Sequence, residues 1–178
     1  MYELVSNSEA LTYLQLPATV DLTQLITNIS ARIETYTGRW FITRPVVDVL
    51  DSGGGGMLFL SRYPVQGTPT VTDLTANTQV TDFLTYSGSG MLYREGGWEA
   101  GRQRYRIEYQ AGICADVATV PADVKQAALE WIKARYDRRD PAIRREQLGD
   151  YSYSADEPDG IPPGVKAALS LWCVPRGH

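Results

Sequence analysis

The sequence predicts an α+β fold, a small α-helical bundle of about four helices with an inserted small antiparallel β module. Apolar residues recur at helical spacing near both ends of the 178-residue chain. Between them, residues 45–109 are rich in Gly, Thr, Val and Tyr and have the pattern of short strands. We therefore expect a helical body in residues 1–45, a β-rich insert in residues 46–110, and a second helical part in residues 111–178 with a long loop at 138–161.

Two helices are predicted before the insert, at residues 8–16 and 21–37. Ser6 or Ser8 provides an N-cap for the first helix, and Pro17 ends it. Gly38 follows the second helix at the position where a left-handed cap is expected. The second helix has one apolar face, made of Leu22, Leu25, Ile26, Ile29, Ile33 and Tyr36.

The helix predicted at residues 120–136 is the central element of the bundle. Its apolar residues fall on one stripe, and we assign to the core Val124, Ala128, Trp131 and Ile132. A last helix opens with two prolines and extends to about residue 173. Leu171 lies off the apolar stripe of that helix, which indicates a second contact surface, and Trp172 lies beside it.

The insert contains six or so short strands separated by tight turns. We place them at residues 46–50, 57–60, 70–74, 80–86, 91–94 and 104–109. The four-residue glycine run at 53–56 is expected to be a flexible loop tip, because it lacks the Lys-Ser/Thr pair of a phosphate-binding loop. This pattern predicts a small antiparallel sheet or barrel.

Composition excludes several function classes. The formal net charge of −4 argues against nucleic-acid binding by bulk attraction. Cys114 and Cys173 form no metal-binding pair, and we expect both to be reduced thiols. His178 is the only histidine, which nearly excludes His-based catalysis and His-rich metal sites. The N-terminal residues do not have the pattern of a signal peptide, and no apolar run approaches a membrane span, so we expect a protein without membrane contact that is made in a cytoplasm.

Several acidic residues are candidates for a catalytic or metal-binding role. Asp73 and Asp82 with Glu95 and Glu99 offer carboxylates for sugar hydrolysis, although turn positions explain them equally well. The acidic stretch around residues 156–159 lacks the spacing of a calcium-binding loop. We therefore predict no catalytic residues, no metal site and no cofactor.

Basic and aromatic residues gather after the central helix. Two interpretations stay open: a solvated helix end, or a surface that contacts an acidic partner or phosphates. Tyr151 and Tyr153 follow within the long loop, and Tyr and Arg are enriched at interface hot spots. The basic run comprises Lys133, Arg135, Arg138, Arg139, Arg144 and Arg145.

Six short sequence segments, in a fixed order, extend across nearly the whole chain. They are IETYTGRWF at 33–41, LFLSRYPV at 58–65, YRIEYQAGI at 105–113, VPADVKQAALEWI at 120–132, LGDYSYS at 148–154 and IPPGVKAAL at 161–169. In this order the sequence resembles the head–tail connector proteins of tailed bacteriophages, also termed adaptor or head-completion proteins. The subgroup of these proteins that the sequence resembles carries a β insert between its second and third helices.

The resemblance implies a structural virion protein of the neck, at the portal vertex, made in the cytoplasm of a bacterial host. Many copies, usually twelve, would form a ring docked on the portal protein, extend the DNA channel and offer a platform to a tail-proximal neck or stopper protein. DNA would pass without specific binding, and no catalysis is implied. The alternatives are another neck or tail component, such as a stopper or tail terminator, and a carbohydrate-binding module built on the insert.

In such families the long loop and the C-terminal segment contact the portal and neighbouring subunits. Carried onto this chain, those regions are residues 138–154 and 171–178. The physical expectation agrees with this, because a ring subunit needs two different faces that meet head-to-tail. The candidate portal or subunit interface therefore comprises Arg138, Arg139, Arg144, Arg145, Tyr151, Tyr153, Leu171 and Trp172.

Overall fold

A computed structural model describes residues 2–138 and 160–174. The described residues form four α-helices and seven strands in two small antiparallel sheets, which confirms the predicted α+β class. The chain divides into two compact units. The helical unit comprises the described residues of Met1–Gly38 and Val117–His178, and the β unit comprises Arg39–Asp116.

The helical unit contains α1 (Asn7–Leu14), α2 (Thr23–Thr37), α3 (Ala122–Asp137) and α4 (Pro163–Leu169). Short 3-10 turns at Val117–Thr119 and Ser170–Trp172 precede α3 and follow α4. Ser6 is the N-cap of α1, and the first helix ends two residues earlier than predicted because Gln15 adopts a left-handed conformation with φ 57°. Gly38 caps α2 with φ 69°, and its N–H donates to the Glu34 carbonyl.

Helix α3 is the central element of the helical unit, since it contacts α1, α2 and α4. Its side chains Val124, Ala128, Trp131 and Ile132 are all buried. They share this core with Ala10 and Leu11 of α1, Ile26, Ile29 and Ile33 of α2, and Val165 and Leu169 of α4. The apolar stripe read from the sequence is therefore the surface on which the other helices pack.

A charged contact joins α1 to α3. Glu9 and Ser6 form a capping box, in which the Ser6 N–H donates to Glu9 Oε2 over 2.7 Å. The other carboxylate oxygen accepts a hydrogen bond from Lys125 Nζ at 2.7 Å. The same carboxylate thus caps one helix and pairs with a cation on another.

The β unit holds a four-stranded sheet of order β1-β7-β3-β4 and a three-stranded sheet of order β2-β6-β5. All neighbouring strands are antiparallel, and both sheets contribute to one apolar core around Trp98, Tyr105 and Ile107. The strands are β1 (Arg44–Ser52), β2 (Met57–Phe59), β3 (Val65–Asp73), β4 (Thr78–Val80), β5 (Leu84–Tyr86), β6 (Met91–Tyr93) and β7 (Gly101–Ala111).

The strand predictions differ most from the structure in two places. The segment 80–86 is two strands rather than one: Thr78–Val80 pairs with β3, whereas Leu84–Tyr86 pairs with β6 in the other sheet. Between them Phe83 packs on the core, with its ring centroid 5.9 Å from that of Trp98. Strand β3 begins five residues earlier than predicted and passes through an irregularity between Gln66 and Thr70, where Gly67 has φ 71°.

The segments by which the chain enters and leaves the β unit lie next to each other. The Thr43 N–H donates to the Cys114 carbonyl at 2.8 Å, and the Cys114 N–H donates to the Phe41 carbonyl at 2.7 Å. Gly112 makes this contact possible, because a Cβ there would lie 2.5 Å from the Cα of Thr43. We call this pairing of residues 41–43 with 112–114 the clasp.

Among the helices described, none is both long and apolar enough to span a bilayer.

The Glu9 contact predicts a pH-dependent stability. Burial alone would raise the pKa of Glu9, but hydrogen bonds from Lys125 and Ser6 outweigh it and lower the pKa from 4.5 to about 2. The ionised carboxylate therefore stabilises the fold above pH 4.5, and this contribution is lost as the pH falls through about 2. Glu9→Gln keeps a capping acceptor but removes the charge, so we expect the free energy of unfolding at pH 7 to fall by about 1 kcal/mol.

Urea denaturation at pH 7, 4 and 2.5 measures this effect, and the difference between the two proteins should shrink over that series. Glu130→Gln is the matched control, since Glu130 is exposed on α3 and accepts a hydrogen bond from Gln126. A difference for Glu9→Gln that does not change with pH would contradict the assignment.

Candidate interaction surfaces

Three arginines converge at one end of the helical unit. Arg32 of α2, with Arg135 and Arg138 at the C-terminal end of α3, lines a cleft of about 830 Å³ whose other lining residues are Leu25, Asn28, Ile29 and Ala31. Burial lowers the pKa of Arg135, and the positive charges of Arg32 and Arg138 lower it further. We call these three residues the arginine cluster. Such a concentration of like charge suits contact with an anionic group or an acidic protein surface.

The sequence placed Arg138 in an interface but did not connect it with Arg32. The two residues are far apart in the chain and meet because α2 packs on α3. Five other predicted interface residues lie outside the described part of the chain, namely Arg139, Arg144, Arg145, Tyr151 and Tyr153.

The predicted C-terminal interface residues have different environments. Leu171 lies in the 3-10 turn after α4, and 88% of its surface is exposed. Trp172 is half-buried, and its indole N–H donates to Asp123 Oδ2 at 2.7 Å. Leu171 is therefore available to a partner, whereas Trp172 attaches the turn to the first turn of α3.

The three-stranded sheet presents a second surface, which is apolar. In its register Met57 lies opposite Tyr93 and Tyr93 opposite Leu84, while Phe59 lies opposite Met91 and Met91 opposite Tyr86. Directly opposed residues of antiparallel strands point to the same side. The side chains of Met57, Phe59, Leu84, Tyr86, Met91 and Tyr93 therefore form one face, which we call the outer face.

The opposite side of the same sheet is occupied by the core. Leu58 and Leu92 are buried there, 5% and 0% exposed. On the outer face, the four side chains of the two edge strands are between 48% and 64% exposed. This sheet is thus apolar on both sides but has a partner on only one, which marks the outer face as a candidate interaction site.

This surface was not predicted from the sequence, although a signal was present. The strands read Met-Leu-Phe, Leu-Thr-Tyr and Met-Leu-Tyr, so large apolar residues occupy the outer positions of all three. A strand with one solvated face alternates apolar and polar residues instead. Only the pairing of the strands shows that these residues collect on one side.

Three of the four carboxylates that are candidates for sugar hydrolysis are paired with arginines. Asp73 accepts from Arg104 Nε and Nη2 at 3.0 and 2.9 Å, and Asp82 accepts from Arg94. Arg104 also pairs with Glu99. Burial alone would raise the pKa of Asp73, but its hydrogen bonds from Arg104 and from the backbone N–H groups of two neighbouring turn residues hold it below its usual value. The Arg94 hydrogen bond lowers the pKa of Asp82 as well. Neither group is protonated at neutral pH, so neither suits the role of a general acid.

Within residues 2–138 and 160–174, no group of three or more His, Cys, Asp or Glu side chains is placed to hold a metal ion. Burial raises the pKa of Cys114, and the negative charge of Asp116 raises it further, so this thiol is less reactive than an ordinary cysteine.

Residues 3–171 match the model of a protein family described as head completion protein. The chain belongs to the head completion protein family. The match extends through both units, and it confirms the resemblance inferred from the order of the six sequence segments. This head completion protein is therefore a structural virion protein of the bacteriophage type. A comparison with curated proteins gives no significant match.

Solved structures similar to this head completion protein come from gene transfer agent particles. A chain in the neck of an empty particle, computed with C6 symmetry, superposes with a TM-score of 0.67 at 19% identity, covering 98% of this chain and 92% of that one. A chain in the neck of a native particle, computed with C12 symmetry, gives 0.60 at 21% identity, covering 96% and 85%. A chain of the native virion gives 0.64 at 20% identity, covering 98% and 92%. At these identities the likeness supports the fold.

The environments of Leu171 and Trp172 predict different effects on stability. Leu171→Ser should leave the free energy of unfolding unchanged to within about 0.5 kcal/mol, because the side chain is exposed. Trp172→Phe should lower it by about 1 kcal/mol, because the hydrogen bond to Asp123 is lost. Urea denaturation of the two variants measures both values, and equal effects would contradict the assignment.

Proposed function

We propose that this head completion protein is a subunit of the neck of a phage-like particle, where copies form a ring docked on the portal protein. The ring extends the DNA channel and offers a platform to a tail-proximal neck or stopper protein. The family match over residues 3–171 carries the proposal. Its support is the shared fold with chains from gene transfer agent particles, two of them from necks computed with sixfold and twelvefold symmetry.

The arginine cluster is the part of the helical unit best suited to the portal contact. Guanidinium groups form bidentate hydrogen bonds with carboxylates, so the cluster favours a carboxylate-rich surface. In the sequence Arg138 is followed by Arg139, Arg144 and Arg145, which belong to the stretch for which the family resemblance implied portal contact. Leu171 is a separate exposed apolar residue, because its neighbour Trp172 bonds to Asp123 at the other end of α3.

The charge balance fits a conduit for DNA. A channel that carries DNA should not hold it tightly, and a chain with a net charge of −4 has no bulk attraction for phosphates. We propose no catalytic role, because two of the acidic residues that might support one, Asp73 and Asp82, are bound by arginines. The contribution of the protein is then mechanical, through contacts with neighbours.

The test is binding of the purified chain to portal protein from the same particle, followed by negative-stain imaging. We expect ring density on the portal, and co-sedimentation with the portal but not with tail-tube protein. Binding to tail-tube protein alone would indicate a stopper or tail terminator instead. A chain that stays monomeric and ignores the portal would overturn the proposal.

The basic surface gives a specific prediction for the same assay. Replacing Arg138, Arg139, Arg144 and Arg145 by Ala should weaken portal co-sedimentation at least tenfold, because charge-assisted hydrogen bonds are lost. The double variant Arg138→Ala/Arg139→Ala should weaken portal binding to a smaller extent. Its charge-matched control is Arg102→Ala/Arg106→Ala, which removes two positive charges from strand β7 of the β unit. Equal binding by these two double variants would show that only total charge matters.

A further inference from the structure

We propose that the outer face is the surface through which each copy contacts its neighbour in the ring. This inference rests on the proposed neck function and adds to it the intersubunit contact. The outer face belongs to the three-stranded sheet of the β unit, and the four apolar side chains on the edge strands of that sheet are between 48% and 64% exposed.

The size of the outer face suits a contact between proteins. At these exposures, six Met, Leu, Phe and Tyr side chains present on the order of 500 Å² of surface, at the upper end of what monomers expose. A standard interface buries roughly 800 Å² on each partner. The outer face therefore supplies more than half of one side, and the polar residues at its border can supply a rim.

The charge of the outer face favours a second copy of this chain as the partner. Each copy has a net charge of −4, so two copies repel one another on average. None of the six side chains carries a formal charge, and the nearby Asp82 is paired with Arg94 at 2.9 Å. Contact through this face keeps like charges out of the buried area, whereas its six side chains offer no cation to DNA phosphates or to an acidic portal surface.

A ring also requires a different surface on the neighbour, because a contact that uses the same patch twice closes a dimer instead. In the β unit the remaining large apolar side chains with high exposure are Val47, Val49 and Leu74. Val47 and Val49 lie on one side of β1, which is an edge strand bonded only to β7. We assign this side of β1 as the surface that meets the outer face of the next copy.

The test separates ring contact from portal contact. Wild-type protein, the double variant Phe59→Ser/Leu84→Ser, and the control Leu74→Ser are titrated onto isolated portal, and occupancy is counted per portal. Leu74 is an exposed leucine that directly follows β3 in the other sheet, so its replacement by Ser matches the Leu84→Ser change. Thermal unfolding checks that all three proteins are folded.

We expect wild-type and Leu74→Ser copies to fill the portal cooperatively. Phe59→Ser/Leu84→Ser should bind single sites with unchanged affinity but need at least tenfold more protein to complete the ring. Equal ring completion by all three proteins would overturn the inference while leaving the proposed function intact. Loss of single-site binding in the double variant would assign the outer face to the portal. If the free wild-type chain forms a closed dimer and the double variant does not, the outer face would be assigned to a two-fold contact. Both results would overturn the inference, whereas failure of the wild type to bind portal would remove the proposed function itself.

Cysteine cross-linking tests the assigned counter-surface. Rings are assembled from a mixture of Phe59→Cys and Val49→Cys copies in a Cys173→Ser background, since Cys114 is buried and Cys173 is partly exposed. A short bis-maleimide should join one variant to the other. Products that contain only two Phe59→Cys copies, or no mixed product from rings that hold both variants, would contradict the pairing of the outer face with β1.

Discussion

The packing of α3 on α2 is the interaction on which the rest of the helical unit depends. Helices α1 and α2 precede the β unit in the chain, and α3 and α4 follow it, so no helical core exists until residues from both sides meet. The side chains that meet, including Ile29 of α2 and Trp131 of α3, are among the most deeply buried of the chain. The same packing positions Arg32 beside Arg135 and Arg138, so the basic surface forms only in the folded unit.

Much of the fold follows from local sequence signals. The stripe of α3, the Ser6 cap and the Gly38 cap each depend on residues within a few positions of one another, and helical periodicity detects such patterns. The strands were harder to place. Strands of three residues, such as Met57–Phe59, are too short to show alternation, and the assignment of residues 78–86 to two sheets depends on partners elsewhere in the chain.

The candidate surfaces also differ in whether they depend on local sequence or on contacts between distant segments. Arg138 and Leu171 were identified because a charge run and an off-stripe leucine are visible in one segment. Arg32 and the outer face were not, because each depends on register or packing between distant segments. The two surfaces also differ in chemistry. The helical unit offers positive charge that attracts a partner from a distance, whereas the β unit offers apolar area whose effect is confined to direct contact.

The clasp has a consequence for how such a chain is assembled. Bringing α2 and α3 together across an insert as long as the β unit would normally cost the entropy of closing a long loop. Because the Thr43 N–H donates to the Cys114 carbonyl, the two ends of the insert are already neighbours once the β unit has folded. The folded insert is then equivalent to a short loop between α2 and α3, because its first and last residues are neighbours. Its sheets can lengthen, shorten or change surface without altering the distance that the helical bundle has to close.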